Sequence, residues 1–169
     1  EKFLRQRAAA YRAWYGHMPV PPIAARDFSN FKIYGRHGVG QLLDIAMLDT
    51  RQYRSAPLEA AEDTPQRTML GDAQEAWFDA TLDASRAKWT IIAQQTLLSE
   101  RDTKAGDATG YNLDGWDGYR SARTRLLDSV RTSGTANPLV IGGDLHAFYA
   151  ADVKEDFANP ASSTLATEF

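Results

Sequence analysis

Leu139-Val140-Ile141-Gly142-Gly143-Asp144-Leu145-His146 is the stretch from which the rest of this chain is best read. Three aliphatic residues in succession after Pro138 read as a short strand of the kind buried within a sheet. The paired glycines let the backbone turn tightly and leave room beside it. A carboxylate and an imidazole two positions apart, carried on a strand-end loop, can converge on one cation. The other reading is that Asp144 caps a following helical segment and His146 is a hydrogen-bonded histidine near the core.

Moving toward the N-terminus, Tyr119, Ala122, Leu126, Leu127 and Val130 share one helical face, with Asp117 as a possible N-cap and Gly134 beyond the end. Before them lies Trp89-Thr-Ile-Ile-Ala-Gln-Gln95, a β-branched and aromatic run that predicts a buried strand. It follows directly on a helix in which Trp77, Phe78, Thr81, Leu82 and Ser85 share a face, opened by Gly71 and an Asp72/Glu75 pair at capping-box spacing. Strands are also predicted at Phe31–Tyr34 and Gln41–Leu48, adjacent or in a hairpin, with Gly35, Gly38 and Gly40 as turn signals between them. A helix is predicted over Phe3–Met18, followed by an extended linker at Pro19, Pro21 and Pro22. Residues 52–70 and 99–117 read as long loops, which are uncommon unless they do something. Alternating helix and strand points to a layered α/β domain with its functional loops at strand ends.

Composition narrows the class. With 169 residues, 43% of them apolar, there is material for one substantial core. The net charge of -3, with both signs mixed along the chain, gives no basic field that would draw it onto nucleic acid or an anionic membrane, so a small-molecule partner is favoured. Cysteine is absent, which confines any metal to oxygen and imidazole donors. There is no apolar run of about 18 residues that could span a membrane and no secretory signal in EKFLRQRAAAYRAW. The missing initiator Met and the ending LATEF carry the expectation that both ends are cut.

Several extended motifs occur in register: RAAAYRAWYGHMPVPP near the start, IAMLDTRQYR at 45–54, LGDAQEAWF, LDAS and WTIIAQQ within 70–95, NLDGWDGYRSARTRLL at 112–127 and VIGGDLHAFYAADV at 140–153. In this order and spacing they resemble the PhoD-like alkaline phosphatases, a metallophosphatase family, over nearly the whole chain. The resemblance implies a calcineurin-like layered α/β sandwich, mixed sheets flanked by helices, of which residues 1–169 form the C-terminal portion of a single domain. It also implies metal-dependent hydrolysis of phosphate monoesters or diesters, a small phosphate ester as partner, iron and calcium as metals, and an extracytoplasmic, periplasmic or secreted location.

By the same resemblance Asp144 and His146 are metal ligands and His146 also a catalytic residue. The GDxxY-type motif and further carboxylates of the family's N-terminal half do not occur, so the site is expected to be incomplete and the chain alone inactive. Arg51 either forks onto a phosphate, as a catalytic residue, or pairs with Asp49 to brace the sheet, and Arg54 and Arg120 carry the same alternative. Asn112, Asp114 and Asp117 offer calcium ligands or plain turn and capping chemistry. Of Gln94 and Gln95, one faces the site and one faces away, and the sequence does not choose. His37 reads as an exposed loop residue and His17 as a partner of its own helix end. Two further readings stand beside the phosphatase: a metal-independent hydrolase with His146 as base oriented by Asp144, and a non-catalytic binding or assembly module that forms homo-oligomers through exposed strand edges.

Overall fold

The helix and strand alternation read between residues 72 and 141 is present in the computed structural model, which describes residues 2–20, 27–57 and 63–169. Two compact units emerge, divided between Ile33 and Tyr34. In the first, α1 spans Lys2–His17 and a short 3-10 turn spans Phe28–Asn30. Phe31 is buried among the rings of Tyr11, Trp14, Tyr15 and Phe28, so the aromatic residues of the helical pattern do pack together. His17 Nδ1 donates to the Ala13 carbonyl at 2.7 Å, the helix-end role expected of it. Pro21 and Pro22, on which the predicted linker rests, lie outside the described residues.

The second unit is built on one six-stranded mixed sheet in the order β1-β2-β3-β4-β6-β5. The strands are β1 Gly35–Val39, β2 Leu43–Met47, β3 Trp89–Ala93, β4 Pro138–Ile141, β5 Ala151–Lys154 and β6 Thr164–Glu168. β2, β3, β4 and β6 run parallel, while β1 and β5 close the edges antiparallel. Between strands lie α2, Asp72–Ala84, and α3, Arg120–Ser133. Phe78 and Leu82 of α2 and Ala122, Leu126, Leu127 and Val130 of α3 pack with Ala46, Ile92, Val140, Val153 and Ala166 of the sheet in one buried cluster. The predicted α/β class with helices flanking a mixed sheet is what forms.

Several local expectations are corrected. The first strand of the hairpin is Gly35–Val39, not Phe31–Tyr34, so two of the three glycines read as turns lie within it and His37 sits on an edge strand. An edge strand with solvent on one side tolerates glycine because little packing is lost there. The capping box at Asp72 and Glu75 does not form: Gly71, at φ +75°, holds the N-cap position. Glu75 instead accepts from Thr68 Oγ1 and from Arg125, tying α2 to α3. Asp117 does not cap α3; Tyr119 holds that position, and Asp117, in the 3-10 turn Trp116–Gly118, pairs with the buried Arg123 at 2.7 Å. Burial pushes the Asp117 carboxyl up, and Arg123 only partly offsets it. β5 and β6 carry no clear strand signal in the sequence, since each mixes charged or polar residues with few apolar ones.

Candidate functional site

β4 ends at Ile141, and the chain then turns through Gly142 and Gly143 at the C-terminal end of the parallel strands, where α/β sheets place their sites. Gly142 is needed there: a Cβ would lie 2.6 Å from the Thr96 carbonyl oxygen and 2.9 Å from Gln94 Nε2. The floor under this turn is a buried polar network. Gln94 Oε1 accepts from the Thr96 backbone N–H at 3.0 Å and from Trp116 Nε1 at 3.1 Å, while its Nε2 donates to the Thr96 carbonyl. Glu168 on β6 accepts from the N–H groups of Leu98 and Ser99 at 2.7 and 2.8 Å. Gln94 therefore faces the turn. Gln95 faces away, its Oε1 accepting from the Thr50 N–H and hydroxyl and its Nε2 donating to the Leu48 carbonyl, which laces the ends of β2 and β3 together.

Asp144 and His146 both adopt left-handed backbone, φ +64° and +56°. Residues in this region other than glycine are uncommon, and Asp and His are among the types that tolerate it. Such strain is a place to look for function. Both side chains are exposed, and with Gly142, Gly143, Phe148, Glu168 and Phe169 they line an open cleft of about 540 Å³. Asp144 does not cap a helix, since none follows it, and no hydrogen bond joins it to His146. The orienting pair required by a metal-independent hydrolase is therefore not formed.

What Asp144 does hold is Arg51, whose Nη2 lies 3.2 Å from its Oδ2. Asp49 is buried and accepts from the backbone N–H groups of Arg51 and Gln52, both at 3.0 Å, and from Gln52 Nε2. It thus forms the turn that sends the Arg51 side chain outward rather than pairing with its guanidinium. Arg51 Nη1 reaches Asp114 Oδ2 at 2.6 Å, and Arg54 meets the other Asp114 oxygen at 2.8 Å and the Asp114 carbonyl at 2.8 Å. Partial burial opposes ionisation of Asp114, but the two guanidinium groups outweigh it and hold the carboxyl below its usual range. Arg120 stands apart, stacked 4.3 Å over the Tyr111 ring.

Asn112, Asp114 and Asp117 do not gather as a calcium site. Asn112 Oδ1 accepts from the Asp114 N–H, and the two carboxylates turn to different arginines. Among the described residues there is no group of three or more His, Asp or Glu that could hold a metal ion. One carboxylate and one imidazole are donors suited to a hard or borderline metal, yet two donors leave most of a coordination sphere unfilled, and Asp144 is shared with Arg51. These residues alone do not fit a metal centre.

Sequence reasoning found Arg51, Asp144 and His146, of which the structure joins Arg51 to Asp144 directly. It missed Glu168, whose burial in the network under the turn has no local signal, and left open the role of Asp114.

A model of the PhoD-like phosphatase family matches residues 1–169. Alkaline phosphatase D of Bacillus subtilis (strain 168) is 33% identical over 177 residues, covering 100% of this chain and 30% of that protein. A solved structure described as "Structure of PhoD" superposes with a TM-score of 0.91 at 32% identity, over 99% of this chain and 34% of the other. The chain thus spans about a third of the length of these relatives. The family model matches the chain from its first residue to its last, and the chain belongs to the PhoD-like phosphatase family.

Proposed function

We propose that the parent protein hydrolyses phosphate monoesters or diesters in a metal-dependent reaction, and that this chain supplies part of the site as the C-terminal portion of one domain. The observation that carries the reading is the Gly142–His146 turn at the end of β4, which exposes a carboxylate and an imidazole, the carboxylate paired with the Arg51 guanidinium. In this reading Asp144 and His146 are the chain's share of the metal donors, with iron and calcium as the metals and the remaining ligands supplied from outside these residues. The metals would supply charge for the phosphoryl oxygens and an activated water. Arg51 offers a planar, permanently charged donor pair of the kind that recognises phosphate. The protein would act outside the cytoplasm. No helix among the described residues is long and apolar enough to cross a membrane.

The test is hydrolysis of an aryl phosphate and a bis-aryl phosphate by the full-length parent, before and after chelation and with iron and calcium restored. Loss on chelation, recovery on reloading, and a fall of about a hundredfold or more in His146→Ala are expected. Activity indifferent to both chelation and His146→Ala sinks the reading.

One observation bears on the assembly module as well as on the family reading. Across the register Leu43, Trp89, Ile45, Ile91, Leu139, Met47, Ala93 and Ile141 share the sheet face opposite the helices, and Trp89 and Met47 are 44% and 42% exposed. An apolar face of this kind marks an interaction surface. In the family reading the rest of the parent covers it; in the module reading a second copy does.

A further inference from the structure

We propose that Asp114 is a positioning residue of the phosphate-binding arginine, fixing Arg51 against Asp144 by bridging it to Arg54. The inference rests on the reading of Arg51 given above and deepens it. Each Asp114 oxygen serves a different guanidinium, Oδ2 to Arg51 at 2.6 Å and Oδ1 to Arg54 at 2.8 Å. Its own backbone is held at both ends: the N–H donates to Asn112 Oδ1 and the carbonyl accepts from Arg54 Nη1. The arrangement joins three segments distant in sequence, the turn after β2, the loop before α3 and the turn after β4. Arg54 is the better anchored of the two arginines, its side chain 16% exposed against 36% for Arg51. Asp114 and Asp144 also line one cleft, together with Gly143, Thr96 and Asn112.

An arginine side chain is long and rotamer-rich, and that freedom is lost when it closes on an anion. Held by Asp114, Arg51 meets an incoming oxyanion with that freedom already lost, which is preorganisation in the ordinary sense. Simple charge counting points the other way. Two guanidinium groups against two carboxylates balance, so deleting the Asp114 charge leaves the cluster more positive and, by Coulomb attraction alone, tightens binding of an anion. The sign of the effect therefore separates a positioning carboxylate from a competing one.

The experiment uses the full-length parent protein and reads inhibition by inorganic phosphate together with KM and kcat for an aryl phosphate. Asp114→Asn keeps the shape and removes the charge. KM and the inhibition constant for phosphate are expected to rise about 5- to 30-fold, the effect of losing one or two kcal/mol of charge-assisted bonding, with kcat changed less than about twofold. Asp114→Glu is expected to restore part of the affinity. In an Arg51→Ala background the same Asp114→Asn change is expected to do nothing further, because its effect passes through Arg51. Arg54→Gln removes the second anchor of the same carboxylate and is expected to raise KM in the same direction, which reads the proposal even if Asp114→Asn does not fold. Tighter phosphate binding in Asp114→Asn, or an effect that persists undiminished in Arg51→Ala, overturns the positioning role. If Arg51→Ala itself leaves phosphate affinity unchanged, the underlying reading of Arg51 fails, an outcome distinct from the first two.

Discussion

Replacing His146 by glycine and, separately, by alanine tests the strained turn without involving catalysis. At an ordinary position alanine is the more stabilising of the two by about 0.5–1 kcal/mol, because glycine loses more backbone freedom on folding. At φ +56° that order inverts. A Cβ in the left-handed region costs roughly 1–2 kcal/mol, which glycine avoids, so the glycine variant should exceed the alanine variant by about 1 kcal/mol. The His146 side chain is exposed and has no hydrogen bond to a described residue, so its loss is common to both variants and small. For a chain of 169 residues the difference corresponds to about 2–4 °C in melting temperature. Urea and thermal unfolding followed by tryptophan fluorescence measure it. An alanine variant as stable as the glycine variant, or more so, would refute the claim that the turn holds His146 in an unfavourable conformation.

Gly142→Ala should destabilise by about 1–3 kcal/mol, since the new Cβ meets the Thr96 carbonyl at 2.6 Å and backbone must shift; a urea midpoint equal to wild type would show that the turn has slack. For Asp44, the hydrogen bond from Arg36 lowers its pKa against the opposing effect of burial, with Ser85 also donating to it. A depressed carboxyl pKa contributes stability above the unfolded value near 4 and loses it as pH falls through the folded value. Asp44→Asn should therefore be less stable than wild type at pH 7, with the gap narrowing by pH 3, and a gap independent of pH would contradict the assignment.

Much of the site was legible because its chemistry is local. Gly142-Gly143-Asp144-Leu145-His146 after an aliphatic run announces a strand-end loop with two donors, and the motif series from residue 45 to 153 gives the family. Helical faces such as Phe78 with Leu82, and Leu126 with Val130, follow from 3.6-residue periodicity and are the faces found in the core. Arg51 was singled out, but its partner was not: residue 49 is near in sequence, whereas residues 114 and 144 become neighbours only when β2, β4 and the loop before α3 meet at one end of the sheet. The same holds for Glu168, a charged residue at the end of an unremarkable strand that becomes a buried acceptor for the loop after β3. Periodicity and turn chemistry are properties of a few consecutive residues, and the sequence determines them by itself. Ion pairs, caps and the choice between Gln94 and Gln95 depend on which distant groups the sheet order brings within about 3 Å, and that only the tertiary structure decides.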